Sequence, residues 1–382
     1  MPFLKYSFFI FLSLTFMQVA GSAPLALVTP APQIQAKSWA LYDISSKHML
    51  LGHQVDQRIP PASITKLMTA YLVFSAIKTK QITLDQKVTV SENAWKMTGS
   101  RMFIEPNRPV TVEELIKGMI VQSGNDATVA LAELISGTET KFVKQMNLQA
   151  NQLGLKNTHY VNATGMPDPN HYSSARDIIT LSAALIRDFP DRYAYYSMKE
   201  YRYNLAHPQY NRNRLLWLDP KVDGIKTGYT EEAGFCLVAS KALGSRRLIS
   251  VVLGATSDQA RAQENQKLLN YGFLNFETLL LYKKGSTIAT VPLYKGSVNE
   301  VAIGYGYDFY VTIPKGSTDK ISAKLIRQHP LVAPVYAGQT VGTLQILLEG
   351  KPYVEYPVFA LSPVGSAGWV GSLIDTIRLW FN

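Results

Sequence analysis

A chain of 382 residues can bury a sizeable core and divides most naturally into two or three domains of about 100 to 200 residues. At 47% hydrophobic and 17% charged residues, it is not an intrinsically disordered chain. The formal net charge of +10 suits acidic surroundings; with no lysine/arginine run or RNA-type aromatic motif, nucleic acid ranks below anionic lipid and a carboxylate-rich polymer.

Lys5, the apolar run Tyr6 to Phe16 and the small residues Ala20-Gly-Ser-Ala23 follow the order of a secretory signal peptide. A membrane-spanning helix needs about 20 apolar residues, and this run is shorter. Residues 1–23 are therefore expected to be a signal peptide, and residues 24–36, rich in Pro and Ala, a flexible leader. The exported chain then holds one cysteine, Cys236, so no internal disulfide framework forms. Its apolar neighbours Phe235, Leu237 and Val238 mark it as a buried strand residue.

Strands are expected at 38–43 and 48–52, around a turn at 44–47. Pro60-Pro61 then precedes an apolar-periodic helix from Ile64 to Ile77, where a missing N–H does no harm. Thr111-Val-Glu-Glu114 has the capping-box pattern of a helix start. Further helices are expected over 125–136, 139–153 and 174–188, the last after a mixed loop from Tyr160 to His171. Strand-like runs follow at 234–241 and 247–254, then a helix around 258–271. After Phe276, short alternating runs at 288–294, 307–313 and 342–348 between Gly, Pro and Lys turns predict a small all-β domain. The expected division is a mixed α and β domain at 37–276, a β domain at 277–363 and a tail at 364–382. On a helix, the tail places Trp369, Leu373, Ile377 and Trp380 on one face and Ser372, Asp375 and Arg378 opposite. Such a helix suits the interfacial layer of a bilayer; a terminal helix packed on the protein's own core is the alternative.

Ser63-Ile-Thr-Lys66 at a helix head puts two side chains on one face, a turn apart. Serine is a poor nucleophile until a neighbouring base takes its proton, and lysine can be that base when burial and nearby cations lower its pKa. Alone, this spacing is as consistent with a solvated helix face. Ser123-Gly-Asn125 lies between two helical segments, where a turn can aim both side chains into a cleft. Lys226-Thr-Gly228 opens an expected edge strand, where glycine lets a peptide lie alongside and lysine and threonine can bind a carboxylate. The three in this order within one domain are a strong combined signal. The six histidines show neither paired helical nor cysteine-assisted spacing, so no metal is expected, and His171 reads as a loop residue.

With these motifs the chain resembles the penicillin-binding and serine β-lactamase superfamily, and more closely the membrane-anchored D-alanyl-D-alanine carboxypeptidases. The resemblance covers nearly everything after the leader, including Tyr172 to Asp177, Asn211 to Trp217 and Val222 to Gly228. It implies an α+β fold: a β-lactamase/DD-peptidase-like domain with an antiparallel sheet flanked by helices, then a β-sandwich and a C-terminal amphipathic helix. It further implies that Ser63 attacks the penultimate D-alanine carbonyl of a peptidoglycan pentapeptide stem, with Lys66 as general base and no cofactor. Ser123 would relay a proton, Asn125 would hold the peptide amide, and Lys226 and Thr227 would bind the terminal carboxylate beside Gly228. The backbone N–H groups of Ser63 and Tyr229 would form the oxyanion hole, and β-lactams would acylate the same serine. An exported enzyme at the periplasmic face of the inner membrane, held there by residues 366–382, is also implied.

Two departures stand out. Tyr229 occupies a position where close relatives often carry histidine. Residues 255–258 read Ala-Thr-Ser-Asp where relatives can carry a basic residue, so carboxylate binding is expected to lean on Lys226 and Thr227. A DD-endopeptidase or transpeptidase of the same fold would share the acyl-enzyme. A class A β-lactamase would need a deacylating glutamate in the loop 160–176, which holds Asp168 but no glutamate. A non-catalytic wall-binding protein would not need Ser63 and Lys66 together.

Overall fold

The structure, a computed structural model, describes residues 30–327, 329–368 and 375–376. The expected signal peptide and most of the expected tail helix lie outside the described residues.

Five antiparallel strands form the first domain's sheet: β1 (Ser38–Asp43), β2 (His48–His53), β3 (Val222–Thr230), β4 (Gly234–Leu243) and β5 (Arg246–Ala255). Their order is β2-β1-β5-β4-β3, so β3 is an edge. The centre of β5 reads Leu248-Ile-Ser-Val-Val-Leu253, nearly all apolar, because both faces of the sheet are covered. Leu248 and Val252 face helix α6 (Asp258–Asn275), and Ser250 donates to Asn265 on it. Ile249, Val251 and Leu253 face the larger helical layer. Each such side chain, fully buried, stabilises the fold by about 1.5–3 kcal/mol.

That layer contains α1 (Lys66–Lys78), α2 (Val112–Lys117), α3 (Asn125–Ser136), α4 (Glu139–Gln152) and α5 (Ala175–Asp188). Their starts follow local chemistry: Thr111 and Glu114 form the expected capping box, and Thr138, Ser174 and Ser257 cap α4, α5 and α6. Each such cap contributes about 1 kcal/mol. Helix α1 is buried on almost every side, through Leu67, Met68, Ala70, Val73 and Phe74. Whatever sits at its head is therefore held by the core.

The second domain packs two antiparallel sheets around one core, in the expected sandwich. β6 (Phe276–Tyr282) pairs with β9 (Phe309–Pro314). The other sheet runs β7 (Thr287–Pro292), β8 (Glu300–Gly304), β12 (Lys351–Ala360), β11 (Thr340–Leu348), β10 (Ile321–Arg327). Val291, Ile303, Val311, Ile313, Leu344 and Val358 meet between them, beside the stacked rings of Tyr305 and Phe309.

Four expectations are corrected. The helix expected from Ile64 opens instead with a 3-10 turn, Ala62–Thr65, and becomes α-helical only at Lys66, so Ser63 stands within that turn. Lys226-Thr-Gly228 lies in the middle of β3, not at its start. Ile34 and Ala36, in the segment read as a flexible leader, pack on the α6 side of the sheet. Val364 and Ser366, assigned to the tail, pair with Val335 and Gly296 of the β domain. Beyond them, the Asp375 carboxylate accepts the Lys295 N–H at 2.6 Å. Among the described residues, no helix is long and apolar enough to cross a membrane.

Candidate active site

The three motifs converge on one cleft of about 390 Å³, lined by Ser63, Ser123, Asn125, Thr227, Gly228 and Tyr229 among others. Each arrives from a different element: the turn before α1, the turn before α3 and the edge strand β3. Close approach explains the glycine of the third motif, because a Cβ on Gly228 would stand 3.0 Å from the Pro61 carbonyl and 3.2 Å from Ala62 Cβ.

Lys66 is buried beneath the cleft. Its Nζ lies 3.0 Å from Ser63 Oγ, 2.7 Å from Asn125 Oδ1 and 2.7 Å from the Thr164 carbonyl. Burial pulls its pKa from 10.5 down to about 7, helped by the Arg212 charge and opposed by Asp126. A neutral amine has two protons and one lone pair. Asn125 and Thr164 offer only acceptors, so they take the two protons and leave the lone pair for the Ser63 hydroxyl. That arrangement can draw a proton from serine near neutral pH.

Ser123 adopts a left-handed backbone, φ 65°, and its buried hydroxyl has no hydrogen-bond partner among the described residues. Asn125 is committed on both sides, since its Nδ2 donates to the Thr98 carbonyl at 2.7 Å. Its Oδ1 orients Lys66, and the second Nδ2 proton points toward Met166 Sδ, 3.7 Å away, on the cleft lining. Lys226 is buried, donates to its neighbour's carbonyl on Thr227 and does not line the cleft. Burial and the charges of Lys66, Arg212 and Arg261 hold its pKa well below the ordinary lysine value. Tyr229 is 52% exposed at the mouth and stacks on Phe235, centroids 4.3 Å apart.

Three residues escaped the sequence reading. Arg261, in the first turn of α6, is buried, lines the cleft and donates to the Gly228 and Cys236 carbonyls and to Asp258. It places a guanidinium at the cleft where the sequence offered no basic residue at 255–258. Arg212 also lines the cleft and donates to Ser100 Oγ at 2.8 Å; it lies within the stretch Asn211 to Trp217 that carried the resemblance. Asp126, fully buried, accepts the N–H groups of Met102, Phe103 and Ile104 and so folds the cleft wall that carries Arg101 and Phe103. Its signal was position alone, directly after Asn125. Asp168 accepts from Asn170 within its own loop and does not line the cleft.

The sequence profile of the D-alanyl-D-alanine carboxypeptidase family matches residues 26–257, and that of the penicillin-binding protein 5 C-terminal domain matches residues 276–366. D-alanyl-D-alanine carboxypeptidase DacC of Escherichia coli is 41% identical over 381 residues, covering 95% of each chain. The crystal structure of penicillin binding protein 5 from Haemophilus influenzae covers 88% of this chain and all of its own at 42% identity, with a TM-score of 0.81. Penicillin-binding protein D2 of Listeria monocytogenes, solved in an ampicillin-bound form, covers 64% of this chain and all of its own at 30% identity, with a TM-score of 0.59.

Proposed function

Because the chain belongs to the D-alanyl-D-alanine carboxypeptidase family of serine hydrolases, we propose that Ser63 is its nucleophile and Lys66 its general base. The observation that carries this assignment is the buried Lys66 amine, whose Nζ lies 2.7 Å from two acceptors and 3.0 Å from Ser63 Oγ. Ser63 attacks the carbonyl of the penultimate D-alanine of a peptidoglycan pentapeptide, and its proton passes to Lys66. The backbone N–H groups of Ser63 and Tyr229 meet the oxyanion. On collapse, terminal D-alanine departs as an amine, protonated through the Ser123 hydroxyl. Water then releases the tetrapeptide from the acyl-serine.

The leaving residue's free carboxylate is held by Thr227 and Arg261, with Arg212 also on the cleft lining, which favours a carboxypeptidase over an endopeptidase. A β-lactam acylates the same serine, but its leaving nitrogen stays tethered, so the acyl-enzyme persists. Fluorescent penicillin should label the purified protein and not its Ser63→Ala variant; equal labelling of both would overturn the assignment. D-alanine release from pentapeptide, set against cleavage of cross-linked dimers, separates the two peptidase activities.

The order of residues 1–23 supports export, and the amphipathic pattern after Gly368 supports peripheral attachment to the periplasmic face of the inner membrane. Since Ser366 is paired into the β domain, the informative truncation removes 369–382 only. It should free the protein from membranes and spare activity on a soluble D-Ala-D-Ala peptide; a truncated protein that still sediments with membranes would sink the anchor.

A further inference from the structure

The segment 160–173 straps across the head of α1 at successive points. Gly165 presses on Ala62 so closely that a Cβ there would fall 1.8 Å from the Ala62 carbonyl oxygen. The Thr164 carbonyl accepts from Lys66, and the Ala163 carbonyl accepts from Thr69, each at 2.7 Å. One side chain of the strap joins these backbone contacts. His171 is buried, and its Nε2 lies 2.8 Å from Thr65 Oγ1. Its other ring nitrogen settles the tautomer: the Val161 N–H donates to Nδ1 at 3.3 Å, so the single proton sits on Nε2 and is donated to Thr65. The ring also meets Tyr160 edge-on, centroids 5.7 Å apart. Burial, with the nearby charges of His159 and Lys66, holds its pKa down at about 4 against the pull of Asp168, so the ring stays neutral where the enzyme would work.

We propose that His171 is a positioning residue for acylation: its bond to Thr65 locks the turn Ala62–Thr65 and closes the strap over Lys66, keeping that amine dry and aligned with Ser63. Thr65 stands between Ser63 and Lys66 in the chain, so a bond to its side chain constrains both. His171 touches no substrate; it acts through the strap. The inference rests on Ser63 being the nucleophile, and its test separates the two.

Acylation by a fluorescent penicillin is followed across pH in the full-length protein, with kcat and KM for D-alanine release, in wild type, His171→Ala, His171→Gln, Thr65→Val and the His171→Ala/Thr65→Val pair. His171→Ala should slow acylation about ten- to a hundredfold, as expected for a misplaced reacting pair. KM should change by less than about twofold, because Thr227 and Arg261 are untouched. The acid limb of the acylation profile should move upward from near 7, since a loosened strap admits water to Lys66. His171→Gln, whose amide N–H can reach Thr65, should keep most of the rate, and the double variant should be no slower than the slower single one. An unchanged rate in His171→Ala overturns the proposal. So does a raised KM at constant kcat, or equal loss in the Gln and Ala variants with the acid limb unmoved. If His171→Ala does not fold, Thr65→Val, which keeps the side-chain shape, decides by the same readouts. An unlabelled wild type would overturn the Ser63 assignment itself, whereas a labelled wild type with an unaffected variant overturns only the role of His171.

Discussion

At Lys66 the fold sets one amine between two acceptors and one hydroxyl, and burial brings its pKa down to about 7. A lysine base works only when neutral. Acylation should therefore rise through pH 7 to a plateau and fall about tenfold per unit on the acid side. A rate of penicillin acylation that is flat between pH 5 and 8 would contradict Lys66 as the base. Ser123 makes the opposite exchange, holding a left-handed backbone and an unpartnered buried hydroxyl. Both features destabilise, so Ser123→Gly should raise stability by about 1 kcal/mol while lowering acylation by at least about a hundredfold. Thermal unfolding and penicillin labelling of that one variant read both effects. A gain in Tm with full activity would remove Ser123 from the proton path; such strain persists in a fold when function requires it.

Between elements, the site depends on how the strap 160–173 and the strand β3 close on the turn before α1. Gly165, at φ +86°, has no room for a side chain against Ala62, whereas Gly137, at φ +77°, faces open space. Gly137→Ala should lose about 1 kcal/mol from the backbone alone and keep its activity. Gly165→Ala must in addition displace the strap from Ala62 and the Lys66 contact with it, so acylation should fall about a hundredfold. Equal Tm losses with equal activity would show that the strap does not govern the site. This closure also marks what the sequence could reveal. Period placed α1, α3, α4, α5 and α6, and the Thr111–Glu114 box placed the start of α2, because these signals act within a turn or two of their own helix. The 3-10 turn at Ala62 was illegible, since Gly165 and Gly228 shape it from a distance. β3 was expected to open at Lys226; in the fold it begins at Val222, and the Asp223 carboxylate takes both Arg247 guanidinium nitrogens at 2.7 Å, a long-range pairing that no local signal shows. The three motifs were legible because each is local. Arg261 was not, because only the packing of α6 against β3 and β4 brings its guanidinium to the Gly228 and Cys236 carbonyls.

Across the whole molecule, a buried carboxylate ties the two domains together. Asp43, at the end of β1, accepts from Arg246 Nε at 2.8 Å and from Thr278 Oγ1 at 2.7 Å, while the Ser45 and Ser46 N–H groups bind its other oxygen. Arg246 also donates to the Gly272 and Phe276 carbonyls, where α6 passes into β6. Ser46 then meets Thr312, which in turn meets Thr278, so the turn after β1 is tied to both strands of the sheet β6-β9. Cutting one partner from a buried pair leaves the other charge uncompensated, which typically costs about 3–5 kcal/mol. Asp43→Ala should therefore lower Tm and pull the unfolding of the β domain away from that of the catalytic domain, as two resolved transitions in calorimetry. None of these residues lines the cleft, so kcat/KM on a soluble D-Ala-D-Ala peptide should stay within about twofold of wild type at temperatures where the variant is folded. Asp43→Asn keeps an acceptor for Arg246 and Thr278 and should fall between the two. A variant with unchanged melting but reduced kcat/KM would mean that the joint reaches the cleft through the sheet, by way of β1 and β5, and that the catalytic domain does not carry its chemistry alone.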